Sequence, residues 1–136
     1  PLPAGTFAFS PLTDLGFTGG SMVSNAREDV VLPALRTSDM AAHYLAGHRV
    51  DDPRATPLKA DFRGAPDVWL TVGDTEILLD DSRRMAARLK AQRVSVTLEV
   101  AHNLPHVWPL FHNLLPEAGR TLDMLSIWIE ARTSTR

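Results

Sequence analysis

The chain of 136 residues has no cysteine, which excludes disulfides, thiolate metal ligands and thiol nucleophiles together. It also lacks a strong charge of either sign, with a formal net charge of -2, and neither a basic stripe nor an RNA-binding aromatic signature is present, which argues against nucleic acid as a partner. No apolar run approaches the ~18 residues needed to span a bilayer, and the basic-then-apolar pattern of a signal peptide is missing. These absences lead to the expectation of a soluble, cytoplasmic protein. No glycine-rich loop joins a strand to a helix, since Gly19-Gly20 precedes polar chain, so phosphate cradling is excluded as well. There is no initiator methionine, and Pro1-Leu2-Pro3-Ala4-Gly5 runs at once into a strand-like segment, as if the chain starts partway through a fold.

Apolar residues make up 44% of the sequence and charged residues 22%, enough to build a core and too little charge for disorder. The most informative stretch runs from Trp69 to His106. Val68 to Val72 reads as a buried strand that Gly73 ends. Leu78, Met85 and Leu89 form a helical stripe, with Asp80 and Asp81 spaced to pair with Arg84 on the wet face. Val94, Val96, Leu98 and Val100 alternate with Ser95, Thr97 and Glu99, the period of a half-buried strand. A helix over 79–92 runs back about 21 Å at 1.5 Å per residue. A strand over 94–100 returns about 23 Å at 3.3 Å per residue. The lengths nearly cancel, so a right-handed βαβ crossover brings the loops after both strands to one carboxyl edge of a sheet. Glu76 and His106 can then be neighbours.

The rest of the chain frames this unit. Thr6 to Phe9 reads as a strand stopped by Ser10-Pro11. Residues 13–36 read as loops with one short helix, and Asp14 as a turn-pinning residue. Ser38 is the expected N-cap of a helix carrying Met40, Tyr44 and Leu45 on one side and stopped at Gly47, with His43 a surface or packed histidine. Residues 48–64 form a connector. Pro109 discourages helix until Pro116, which opens a closing helix with Leu122, Leu125 and Ile129 on its buried face. Thr133 to Arg136 reads as a frayed tail.

A carboxylate at one strand end and a histidine at the next is an arrangement in which the acid orients an imidazole that acts as base to a hydroxyl nucleophile. Asp80 and Asp81 are explained as first-turn helix acids, which leaves Glu76 or Asp74 as the orienting acid. A zinc site from Glu99, His102, His106 and His112 is disfavoured, because Pro105 breaks any helical histidine pair, and no metal or cofactor is expected. The nucleophile is missing. No serine sits in a Gly-x-Ser-x-Gly turn and no His-Gly-Gly loop occurs. In α/β-hydrolases the chain order is serine, acid, histidine, so a chain carrying only the last two is expected to be the second half of such an enzyme.

The sequence resembles the C-terminal half of the hormone-sensitive-lipase-like, or α/β-hydrolase fold-3, carboxylesterases. The motifs that carry the likeness are Phe9-Ser10-Pro11-Leu12-Thr13-Asp14-Leu15, Tyr44-Leu45-Ala46-Gly47-His48 and Asp52-Pro53-Arg54-Ala55-Thr56-Pro57-Leu58. With them go Val72-Gly73-Asp74-Thr75-Glu76-Ile77-Leu78-Leu79-Asp80-Asp81-Ser82 and Leu104-Pro105-His106-Val107-Trp108. The resemblance implies an α/β fold, the chain supplying about three mostly parallel strands and flanking helices of one domain, with residues 16–45 contributing to a cap. It makes Glu76 the triad acid and His106 the general base, acting on a small carboxylic ester without cofactor, and it gives Asp14 a structural role. Ala101-His102-Asn103 and Pro109 depart from the family's usual residues.

From this reading the residues 1–136 are expected to lack the N-terminal half with its nucleophile, and the isolated chain to be inactive. The Thr6–Phe9 strand should leave an open edge, so the chain should associate with its missing half or with itself. Homodimerisation through the last strand and last helix is expected by the same resemblance. The alternative is a truncated, non-catalytic α/β module that acts in binding or assembly.

Overall fold

The computed structural model describes residues 2–134. Three strands, β1 (Thr6–Phe9), β2 (Val68–Gly73) and β3 (Val96–Ala101), form one parallel sheet in the order β1-β2-β3. Thr6 lies opposite Val68, and Val68 opposite Val96, so the strands start level and all their carboxyl ends reach the same edge. Among the described residues four α-helices accompany them, α1 (Ser21–Ser24), α2 (Thr37–Leu45), α3 (Leu79–Ala91) and α4 (Pro116–Thr133). The fold class is the α/β arrangement expected.

Because β2 is buried on both faces, it does not alternate apolar with polar, and Thr71 alone interrupts the apolar run from Val68 to Val72. Leu70 meets Met85, Ala86 and Leu89 of α3, and Val96 and Leu98 of β3 pack against the same cluster. On the other face α4 is linked to β3, where Thr121 Oγ1 donates to Glu99 Oε1 at 3.0 Å. The Trp108 side chain is fully buried, and its Nε1 points to Thr121.

Several local expectations are corrected. The last strand begins at Val96 rather than Val94, because Arg93 takes φ +63° to turn the chain and Val94 is spent capping α3 through its N–H to the Leu89 carbonyl. Helix α2 starts at Thr37, whose hydroxyl bonds the Ala34 carbonyl, and Ser38 caps nothing. Met40 and Tyr44 of this helix are both exposed. With Leu12, Leu15 and Pro57 they line a cavity of about 600 Å³. Pro109 does not prevent helix: Trp108–Phe111 forms a 3₁₀ turn with proline in its first turn, where a missing N–H costs nothing. The buried face of α4 is Ala118, Thr121 and Leu125. The Trp108 indole reaches this face at Thr121, its Nε1 lying 3.4 Å from the hydroxyl.

Candidate active site

All three strand ends contribute to one cluster. Glu76, in the loop after β2, is 1% exposed, and its Oε2 lies 2.8 Å from His106 Nδ1 in the loop after β3. The other oxygen, Oε1, accepts the Gly73 N–H at 2.6 Å and the Ser10 hydroxyl at 2.7 Å. The Gly73 N–H and the Ser10 hydroxyl both donate to the carboxyl, which suits an acceptor-only group facing the ring. Nδ1 therefore carries the ring proton and the Nε2 lone pair is left uncommitted; among the described residues Nε2 has no protein hydrogen bond. The ring stays 18% exposed, shielded but reachable.

Local sequence explains the approach. A Cβ at Gly73 would collide with the Leu104 carbonyl oxygen and crowd the Glu76 carboxyl, so only glycine lets the histidine loop pass so close to the acid loop. Asp74 pins the start of that loop, its Oδ1 accepting the Asn103 N–H at 2.8 Å and its Oδ2 facing His102 Nδ1 at 2.7 Å. The Asn103 N–H, and after it His102, hold the Asp74 carboxyl below its ordinary pKa. Of the two acids left open by spacing, Glu76 is the one brought to His106. Asp74 goes to His102, a side chain 90% exposed, where water screens the pair.

Residues that sequence reasoning missed hold the acid loop from the other side. Asn25 Nδ2 donates to the carbonyls of Asp74 and Glu76, each at 2.8 Å. Asp29 Oδ2 accepts the Ile77 N–H, and Ser21 Oγ donates to the Ile77 carbonyl. The segment expected to belong to a cap is thus stitched to the loop that carries the acid. No periodicity could have revealed these polar contacts, which span about fifty positions.

A second buried network lies beneath. Asp81 is fully buried rather than on a wet helix face, and its Oδ2 accepts the N–H groups of Thr13 at 2.7 Å and Asp14 at 2.9 Å. Burial raises its pKa against the pull of those bonds. Arg84 bridges Asp81 and Asp14 at 3.1 and 3.0 Å. Asp14 also accepts from Gly16 and Thr18. Burial alone would raise the Asp14 pKa, but these bonds outweigh it and the value is lowered. Its contacts are those of a turn-pinning group. Glu99 is engaged by Thr121 and His102 by Asp74, and among the described residues no three potential ligands converge on a metal position.

A family described as having the alpha/beta hydrolase fold matches residues 1–110. Over 133 residues the chain is 32% identical to an acetyl-hydrolase of Streptomyces hygroscopicus, which covers 98% of this chain and 44% of that protein. It is also 32% identical over 122 residues to an esterase of Acinetobacter venetianus, covering 89% of this chain and 40% of that one. Among solved structures, a hormone-sensitive lipase from a metagenome library superposes with a TM-score of 0.93 at 32% identity, over 97% of this chain and 45% of its own. An esterase from the bacterial hormone-sensitive lipase family superposes with a TM-score of 0.94 at 38% identity, over 97% of this chain and 44% of its own. The chain spans under half the length of these relatives. Among the described residues no helix is long and apolar enough to cross a membrane. By sequence and by fold, the chain belongs to the α/β-hydrolase fold family, alongside esterases of the hormone-sensitive-lipase type.

Proposed function

We propose that this chain supplies the acid and the base of a serine carboxylesterase. In this reading Glu76 and His106 complete a Ser-His-Glu triad, residues 1–136 are the C-terminal part of one hydrolase domain, and the nucleophile and oxyanion donors come from an N-terminal half. The observation that carries it is the hydrogen bond from His106 Nδ1 to the buried Glu76 Oε2, at 2.8 Å. The substrates are small esters with short acyl groups, in keeping with the acetyl-hydrolase relative. Residues 16–45 contribute to the cap, and Met40 and Tyr44 already border an apolar cavity there.

The chemistry follows from the arrangement. The serine oxygen attacks the ester carbonyl carbon while its proton passes to His106 Nε2, and the imidazolium is stabilised by Glu76 through Nδ1–H. The tetrahedral intermediate collapses as its bond to the alcohol oxygen breaks, and Nε2 returns the proton to the departing alcohol. Water then attacks the acyl carbon as the same nitrogen takes its proton, and when the bond to the serine oxygen breaks Nε2 returns that proton to the serine and the acid is released. The scheme needs no cofactor.

The test is hydrolysis of p-nitrophenyl acetate. The 136 residues alone should give no turnover above buffer, and mixing them with a serine-bearing N-terminal half should restore it. Restoration that His106→Ala abolishes is the expected result. No restoration would favour the binding or assembly module. Turnover by the chain alone that His106→Ala abolishes would contradict the assigned division of labour.

Association is part of the same reading. Among the described residues the outer edge of β1 is unpaired and Phe7 on it is exposed, while β3 and α4 present Val100, Met124 and Ile127 to solvent. Light scattering of the purified chain should report a dimer or larger species. A monomer with sharp cooperative melting would contradict this.

A further inference from the structure

We propose that Ser10 is a positioning residue for the acid–base pair, its hydroxyl tying the Glu76 carboxylate to the backbone of the histidine loop. The inference rests on the proposed roles of Glu76 and His106. Ser10 Oγ donates to Glu76 Oε1 at 2.7 Å and accepts the Val107 N–H at 3.0 Å. The polarity is forced, because a carboxylate only accepts and a backbone N–H only donates. Only a group that does both can connect them, and a hydroxyl is the smallest side-chain group able to.

Backbone conformation gives an independent argument. Ser10 sits at φ +47° and Val107 at φ +53°, the left-handed region that L-residues avoid and that is least suited to a β-branched side chain. These two strained residues are the two ends of one hydrogen bond. Observed strain of this kind, held by its surroundings, marks positions where geometry is over-determined. Ser10 is 3% exposed, and its N–H extends the β1 ladder to the Thr71 carbonyl at 2.7 Å, so the hydroxyl hangs from the sheet itself. The histidine loop is then fixed at its start by Asp74 and just past His106 by Ser10. Without the hydroxyl, Oε1 keeps one donor of two and the loop loses its hold immediately after the catalytic ring.

The experiment uses the catalytically complete protein and separates the hydroxyl from the backbone strain. Ser10→Gly accepts a positive φ at no steric cost but has no hydroxyl; Ser10→Ala lacks the hydroxyl and keeps the strain. Both should lower kcat for p-nitrophenyl acetate about 10- to 100-fold, with KM changed by less than about twofold, as expected when a reacting group is displaced by a fraction of an ångström to an ångström. In a Glu76→Ala background, Ser10→Gly should cost several-fold less than it does in the parent, since the part of its effect that passes through the carboxylate is gone and only the hold on the Val107 N–H is left to lose. If Ser10→Ala does not fold, Ser10→Gly carries the test. Three results would overturn the inference: Ser10→Gly with kcat within twofold of the parent, equal losses in both backgrounds, or failure of both variants to fold. Activity that survives His106→Ala would instead sink the proposed function itself. Activity lost at His106→Ala but retained in Ser10→Gly would sink only this assignment.

Discussion

Changing Glu76 to glutamine should cost about 10⁴-fold in kcat, roughly 5 kcal/mol of transition-state stabilisation, while leaving the melting temperature nearly unchanged. The site dictates which way the amide faces. Ser10 Oγ–H and Gly73 N–H both donate to the Oε1 position, so the amide oxygen must occupy it. The amide NH2 is then turned toward His106 Nδ1, which must accept and so give up its proton. The ring adopts the other tautomer, with Nε2 protonated and useless as a base. Volume and contacts survive, but the chemistry does not. His106→Ala should cost more, about 10⁴- to 10⁶-fold, because it removes the proton acceptor outright. Steady-state kinetics on p-nitrophenyl acetate with the complete enzyme measure both. A glutamine variant within tenfold of the parent would mean that the carboxylate does not control the ring.

The largest effect on stability is expected at Asp81. Asp81→Ala leaves the Thr13 and Asp14 N–H groups without their acceptor and Arg84 with one carboxylate of two. Breaking a buried charged network from one side costs about 3–5 kcal/mol, and unpaired buried donors add to the loss. Urea or thermal melts should show it. Asp81→Asn should recover part of the loss, since its oxygen still accepts both N–H groups while its NH2 opposes the Arg84 guanidinium. A melt of Asp81→Ala indistinguishable from the parent would contradict the network's structural role. The two acids of the network respond to pH with opposite signs. Asp14 has a lowered pKa in the folded chain, so its contribution is present above its ordinary value of 3.8 and is lost as pH falls through the folded value. Asp81 is raised, so its ionisation weighs against the fold as pH rises from 3.8 through its folded value.

These two residues also show where sequence reading succeeds and where it stops. The β2-α3-β3 unit was legible because hydrophobic period and element length are local properties, and matching the two lengths is enough to return the chain to the same edge. That brought Glu76 and His106 together across thirty positions. Spacing alone left Asp74 as a second candidate, and in the structure the close pass of the histidine loop over Gly73 sets Glu76 rather than Asp74 against His106. Asp81 read as a first-turn helix acid on the wet face because helix geometry alone gives it that role. Its true partners are N–H groups of a loop that follows a different strand, and no local pattern encodes them. Ser10 read as punctuation before a proline for the same reason. Met40 and Tyr44 marked a helix face correctly as apolar, yet that face lines a cavity instead of the core, since periodicity says which side is apolar and not what covers it.

The central claim is that Glu76 fixes the tautomer of His106, and the most direct test is the protonation pattern of the two ring nitrogens in a long-range proton–nitrogen correlation spectrum of the neutral imidazole. The account predicts an Nδ1 that carries hydrogen and an Nε2 that does not, with the pattern reversed in Glu76→Gln. A ring protonated at Nε2 in the parent, or one whose tautomers are indifferent to the loss of the carboxylate, would contradict it.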